Sequence, residues 1–144
     1  MNNGLMTGAV VAAAAAGGFW WALQSEPEVS TAAFDGEGAA LVENLLPAEL
    51  SANAQNGETI YQSQCADCHG VNAVGQDGVA PPLVHVIYEP SHHGDEAFQR
   101  AVSVGVQQHH WSFGNMPAVE GLTRGDVAMV VDYIRELQQA NGIN

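Results

Sequence analysis

Two cysteines and a histidine stand together near the middle of the chain, as Cys65, Cys68 and His69. Two thiols three residues apart, with a histidine directly after the second, form the attachment motif for c-type haem. At a helix end this spacing places both sulfurs on one face, so that both can reach one edge of a flat macrocycle. The imidazole would then become an axial ligand of the iron. These residues predict one covalent haem c with its iron.

Three other uses of the cysteine pair fit the sequence less well. A structural zinc site needs four ligands, and the chain has no third cysteine and no HxxxH pair. A thioredoxin-like redox pair needs a βαβ context, and no segment alternates as a strand should. A disulfide between Cys65 and Cys68 would close too small a loop to stabilise the fold much.

Charge narrows the class of partner. The 144 residues carry a formal net charge of -13, with 16 acidic residues and three arginines but no lysine. This balance argues against nucleic acid and anionic membrane surfaces as partners. It suits a protein partner with a basic docking patch. Adaptation of a whole proteome to salt would explain the same charge.

Residues 1–23 are predicted to be a membrane anchor or a signal segment. Residues 4–23 are uncharged and end in aromatic side chains, and a helix of this length rises about 30 Å, enough to cross a bilayer's hydrocarbon layer. We expect this apolar helix to remain and to hold the protein on the periplasmic side of the inner membrane. The alternative is cleavage near residues 30–32, which would leave a soluble periplasmic protein. Residues 24–50 are rich in acidic and in small side chains, which bury little apolar surface, and this composition predicts a flexible linker.

The body, over residues 51–144, is predicted to be all-α. Ser51 is a plausible N-cap for a helix that runs to about Gln64. Apolar spacing predicts a second helix over residues 94–104 and a third over residues 123–140, which opens with an approximate capping box. A body of this size buries only a small core by itself, so a large flat cofactor would supply much of it.

The opposite side of the iron needs a second ligand, and Met116 is the first candidate. It lies in a turn-rich segment with Pro117 directly after it. Met129 falls inside the last predicted helix and is expected to pack in the core. Histidine is the rival ligand and would lower the reduction potential. The histidines available for that role are His85, His92, His93, His109 and His110.

The order of these features resembles the class I c-type cytochromes over roughly residues 51–142. In that family a proline and a leucine follow the motif histidine at the distances of Pro81 and Leu83, and a methionine precedes the final helix, as Met116 does. The resemblance implies a cytochrome c fold of about three main helices around one covalent haem. It makes Pro81 and Leu83 part of the haem site.

The resemblance also carries two expectations about local geometry. The Pro81 carbonyl should accept a hydrogen bond from the second ring nitrogen of His69, which would fix the imidazole and raise its basicity. The terminal helices should cross where small and aromatic residues meet, here at Gly57, Tyr61 and Tyr133.

The function implied is one-electron transport rather than an enzymatic reaction, without a small-molecule substrate. The protein would serve a bacterial-type respiratory or photosynthetic chain, with redox proteins such as a cytochrome bc complex and a terminal oxidase or reductase as partners. The lysines that often surround the haem edge in this family are absent, so partner identity does not carry over. Two alternatives stay open. The first is a gas or peroxide sensor, or a weak peroxidase, if Met116 is not a stable ligand. The second is a fixed haem subunit of a larger redox complex.

Histidine pairs at 92–93 and 109–110 lie outside the general pattern of the family. They could hold a copper or zinc ion. However, a helix of about eleven residues separates its ends by roughly 16 Å, so all four would share one ion only if the loops fold back sharply. Simpler expectations are capping of the second helix by Ser91 or His92, and hydrogen bonds to a haem propionate from the second pair or from Trp111.

Overall fold

Residues 38–144 are described by a computed structural model of the chain. Within this range the fold is helical and contains no β-strand, as predicted. The helices are α1 (Ala52–Gln64), α2 (Ala66–His69), α3 (Asp95–Val104) and α4 (Arg124–Ala140). Single turns of 3-10 helix lie at Val71–Ala73 and Val86–Tyr88. The three longer helices lie close to the predicted bounds.

Side-chain caps fix where α1 and α4 begin. The Ser51 hydroxyl accepts a hydrogen bond from the N–H of Ala54 at 3.2 Å. Thr123 and Asp126 form a reciprocal capping box at the start of α4. Such caps satisfy backbone donors that have no partner inside the helix. Both caps were predicted from the sequence.

The start of α3 differs from the prediction. Its N-cap is Gly94, which has no side chain to accept a hydrogen bond. The Ser91 hydroxyl donates instead to the Glu89 carboxylate at 2.7 Å. Capping by Ser91 or His92 was therefore wrong, because the helix begins at Asp95 and the capping position lies beyond both side chains.

α1 crosses α4 at Gly57, where the two backbones nearly touch. A β-carbon at Gly57 would lie 1.9 Å from the carbonyl oxygen of Met129, so only glycine fits. One turn later, the Tyr61 ring packs with its centroid 5.5 Å from that of Tyr133, and both side chains are fully buried. The crossing therefore occurs at the small and aromatic residues expected from the resemblance.

The hydroxyls of the two tyrosines hold the loop that follows α2. Tyr61 donates to the Gly70 carbonyl at 2.9 Å, and Tyr133 donates to Asn72 Oδ1 at 3.2 Å. Burial raises the pKa of Tyr61 far above its usual value and that of Tyr133 to about 12, so both remain protonated donors. The loop they hold is a tight one, because Asn72 and Ala73 have left-handed φ angles of 57° and 62°.

Two polar side chains of α4 fix the backbone that leads into α3. The Arg135 guanidinium is only 12% exposed and pairs with Asp95 at 3.0 Å. It also donates to the carbonyls of Tyr88 and His93, each at 2.6 Å. Gln138 is fully buried and donates to the same Tyr88 carbonyl at 3.0 Å. α4 thus positions the segment before α3 through side-chain hydrogen bonds to backbone carbonyls as well as through its apolar face.

Residues 38–50 form a strap along the body without helix or strand. The strap's backbone exchanges hydrogen bonds of 2.8–3.2 Å with that of Val74 and Asp77. Beyond the end of α4, the Asn141 side chain accepts from the Leu45 N–H at 2.8 Å and donates to its carbonyl at 2.9 Å. The strap is therefore tied to the folded body at both ends.

The linker predicted over residues 24–50 does not extend to Leu50 as a free segment. Its composition predicted flexibility because small acidic residues bury little apolar surface, yet backbone pairing does not require large side chains. Residues 1–37, which include the predicted anchor, lie outside the described residues. Within residues 38–144 no helix has the length and apolar character needed to span a membrane.

We expect Gly57→Ala to destabilise the haem-loaded protein by about 1–3 kcal/mol, because the added methyl group overpacks the helix crossing. Alanine inside a helix would otherwise gain up to about 1 kcal/mol over glycine, so the sign of the effect is diagnostic. Denaturant unfolding followed by far-UV circular dichroism measures it.

Gly125→Ala is the matched control, since Gly125 lies in the first turn of α4. There the nearest atom to an added β-carbon is Thr123 Oγ1, at an ordinary 3.6 Å. Its stability should be unchanged or slightly raised. Equal stabilities for the Gly57 and Gly125 variants would contradict a tight crossing.

Candidate haem site

The short helix α2 holds the cysteine–histidine motif in a single turn. The N–H groups of Cys68 and His69 donate to the Cys65 carbonyl at 3.2 Å and 2.9 Å. Gly70 ends the turn with a φ of 74°. Cys65 and Cys68 are not joined by a disulfide, and Cys65 is half-buried whereas Cys68 is exposed. The motif is thus a rigid turn that presents two sulfurs and one imidazole together.

All six predicted site residues line one cavity of about 620 Å³. They are Cys65, Cys68, His69, Pro81, Leu83 and Met116. Apolar side chains from the three long helices complete the wall, among them Tyr61, Phe98 and Ile134. This volume lies within the range of about 300–1,000 Å³ that is usual for cofactor sites. The fold therefore brings the predicted residues together.

His69 is oriented by Pro81. Its Nδ1 lies 2.8 Å from the Pro81 carbonyl oxygen, and because a carbonyl can only accept, Nδ1 carries the proton and Nε2 keeps its lone pair. Burial lowers the pKa of His69, and the hydrogen bond to Pro81 acts in the opposite direction. The backbone around this carbonyl packs closely against Gly75, since a β-carbon on Gly75 would lie 2.5 Å from the Pro82 nitrogen and 2.9 Å from the Pro81 carbonyl carbon.

Met116 is held by the chain that follows α3. Its backbone pairs with that of Val106 through two hydrogen bonds of 2.9 Å and 3.0 Å. Gly105 permits the close approach, since a β-carbon there would lie 2.4 Å from the Met116 carbonyl oxygen, and its φ is 77°. This pairing was not predicted from the sequence. The only signal was a glycine directly after an apolar helix, which marks a helix end but not its partner.

The rival ligands for the iron divide into two groups. His93, His109 and His110 line the cavity with Met116, whereas His85, His92 and Met129 do not. The Nδ1 of His85 is instead engaged locally, as the acceptor for the Ile87 N–H at 3.2 Å. Besides the motif residues, the cavity wall therefore contains one thioether sulfur and three imidazoles that could bind iron.

The two histidine pairs at the ends of α3 meet. The ring centroid of His110 lies 5.1 Å from that of His92 and 5.3 Å from that of His93. The sharp fold-back of the loops, which was the expected condition for the two pairs to meet, is present because the chain reverses at Gly105. Two effects lower the pKa of His110. The larger is partial desolvation, and the smaller is charge repulsion from the nearby imidazoles of His109, His93 and His92.

The residues of the cavity fit a bound haem. Trp111 Nε1 is buried, and no acceptor within residues 38–144 meets it with hydrogen-bond geometry, although the Tyr88 hydroxyl lies near. An unpartnered buried donor costs about 1–3 kcal/mol, and a haem propionate would satisfy it. Burial, with a smaller effect from Cys68, raises the pKa of Cys65 to about 11. A redox CxxC pair needs the opposite shift.

Comparison with known families agrees with this site. A family model described as Cytochrome c matches residues 54–138, which is more than half of the chain. Comparisons with curated proteins and with solved structures gave no match. The matched range begins in α1, ends in α4 and contains every residue predicted for the haem site. The chain therefore belongs to the cytochrome c family, whose members bind haem c covalently and carry electrons between redox proteins.

Proposed function

We propose that the protein is a membrane-tethered, monohaem electron carrier on the periplasmic side of the inner membrane. It shuttles electrons between a donor such as a cytochrome bc complex and a terminal oxidase or reductase, in a bacterial-type respiratory or photosynthetic chain. The convergence of the six predicted haem residues on one cavity carries the proposal. The uncharged residues 4–23 support the location.

His69 and Met116 are the proposed axial ligands. Bound haem c supplies a reversible one-electron change at its iron. His69 offers Nε2, because the Pro81 carbonyl holds the proton on Nδ1, and this bond raises the basicity of the imidazole. Met116 offers a neutral sulfur, which favours the reduced iron and hence a fairly positive potential.

The other cavity residues hold the group and keep water away. Cys65, at the N-cap of α2, and Cys68, within α2, would hold the haem through thioether links. Buried Tyr61 and Ile134 close the apolar wall, and a dry pocket is one of the means by which proteins set the potential of haem iron. Trp111 supplies the N–H donor that suits a propionate.

The surface charge supports a basic redox partner. The three arginines offset only three of the 16 acidic residues, which leaves the net charge of -13. Two of them are also paired with carboxylates, Arg124 with Glu96 and Arg135 with Asp95. Opposed fields speed the encounter of two proteins more than they tighten the complex. Fast and salt-sensitive docking suits an electron carrier that must dissociate from each partner as readily as it binds.

Replacing the proposed sulfur ligand tests the ligation. We expect Met116→Ala to abolish the weak far-red absorption band of the ferric protein, which reports methionine sulfur on haem iron. The ferrous variant should bind carbon monoxide at once, because the iron gains an open position. Absorption spectra of the purified haem protein measure both changes.

Met129→Leu is the control, because Met129 lies on α4 and does not line the cavity. It should keep the far-red band and resist carbon monoxide. If the wild-type protein lacks the band or binds carbon monoxide readily, the proposed ligation is wrong, and the sensor or peroxidase alternative gains support.

The tether is tested separately by the mass of the mature protein. Expressed with a haem-attachment system, the chain should retain residues 1–23, carry one haem and sediment with the membrane fraction. Replacing residues 1–23 by a cleavable signal should release it into the soluble periplasmic fraction. A mature mass that lacks the first 30 or so residues would exclude the anchor and leave electron transport untouched.

A further inference from the structure

A cluster of four histidines, His92, His93, His109 and His110, lies at the rim of the haem cavity. The closest ring centroids are those of His109 and His110, at 4.4 Å, and of His92 and His93, at 4.7 Å. The two pairs come from opposite ends of α3. The chain reversal after α3 brings them together, so the cluster is a product of the fold rather than of neighbours in sequence.

Three of these side chains have the geometry of a metal site. The ligand nitrogens of His92, His93 and His110 all lie within 4.8 Å of one another. Around Zn²⁺, with Zn–N bonds of about 2.0–2.1 Å, tetrahedral neighbours lie about 3.4 Å apart. His92 and His110 are exposed, so small side-chain rotations suffice to close this difference.

The third ligand is already oriented. His93 Nδ1 lies 2.6 Å from the Ile87 carbonyl oxygen, so Nδ1 carries the proton and Nε2 is available to a cation. Such a hydrogen bond to a backbone carbonyl is typical of metal-binding histidines. The backbone of His93 is itself held by Arg135, which donates to its carbonyl at 2.6 Å. The neighbouring His109 has a similar bond from Nδ1 to the Gln107 carbonyl at 2.9 Å.

We propose that His92, His93 and His110 bind one divalent transition-metal ion of the Zn²⁺ or Cu²⁺ class through imidazole nitrogens, with His109 or water completing the coordination. Imidazole ligands suit these ions rather than Mg²⁺ or Ca²⁺, which prefer oxygen. The net charge of -13 favours the approach of a cation. The site stands on the histidine geometry and does not rest on the electron-carrier proposal.

Zinc titration of the ferric haem protein, after treatment with a chelator, tests the site. Isothermal titration calorimetry should show one Zn²⁺ per chain. Zinc K-edge X-ray absorption should show imidazole nitrogens at about 2.0 Å. Absence of saturable binding, or a coordination shell made of oxygen alone, would overturn the proposal.

His92→Gln is the decisive variant, because His92 is a proposed ligand that does not line the haem cavity. It should weaken Zn²⁺ binding by more than the roughly 10–100-fold that the loss of an outer partner costs, and the double variant with His110→Gln should abolish binding. His85→Asn is the matched control, since its amide oxygen can still accept from the Ile87 N–H, and it should bind Zn²⁺ normally.

Two results with the variants would count against the site. Undiminished Zn²⁺ binding by the double variant would place the ion elsewhere on the acidic surface. A haem spectrum that shows histidine from this cluster bound to iron would mean that an imidazole of the cluster is an iron ligand and is not available to the proposed ion. An unchanged haem spectrum in His92→Gln shows that the variant is folded and loaded, so that its zinc affinity can be interpreted.

Metal binding should also raise the haem reduction potential. His93, His109 and His110 line the haem cavity, so a divalent ion held there adds positive charge near the iron and disfavours its oxidised state. A redox titration with and without Zn²⁺ should show a positive shift in the wild-type protein and none in the double variant of His92→Gln with His110→Gln. Zinc binding without any shift in potential would contradict the placement of the ion at the cavity rim.

Discussion

The contact between α1 and α4 at Gly57 is the constraint on which the rest of the structure depends. It brings the two backbones close enough for the buried rings of Tyr61 and Tyr133 to pack. Their hydroxyls then hold Gly70 and Asn72, at the start of the loop that leaves the haem motif. That loop carries the Pro81 carbonyl that orients the imidazole of His69. The absence of a β-carbon at Gly57 therefore contributes to holding the imidazole proton of His69 on Nδ1.

The features that depend on short-range spacing were predictable from the sequence. Cys65 and His69 are read directly from a motif whose spacing is imposed by the haem itself. Apolar periodicity and capping residues predict the long helices because both act within a turn or two. Met116 is identified as a candidate ligand from its turn-rich segment and the proline after it. Pro81 and Leu83 are assigned to the site only through the family resemblance, since no local rule ties loop residues to a site.

The features that escaped prediction are backbone contacts between distant segments. The strap over residues 38–50 is paired through N–H and carbonyl groups, which every residue carries and which leave little trace in composition. The left-handed φ of Ala73 belongs to a residue type that rarely adopts it. Arg135 has four acceptors, of which only Gln138 lies on the same helix. The other three, on Tyr88, His93 and Asp95, are at least 40 residues away in the sequence. A sequence read locally has no means of joining them.

The reversal at Gly105 has a consequence for how the loop over residues 107–115 responds to heat. Backbone pairing of Val106 with Met116 closes its base, while His110 near its tip contacts the segment before α3. Once the tip of the loop is held in place, melting of the base releases less conformational entropy and is therefore less favourable. An ion bound by His110 and His92 would therefore raise the temperature at which the turn that carries Met116 melts. Because such coupling is reciprocal, a folded turn would also raise the affinity for that ion.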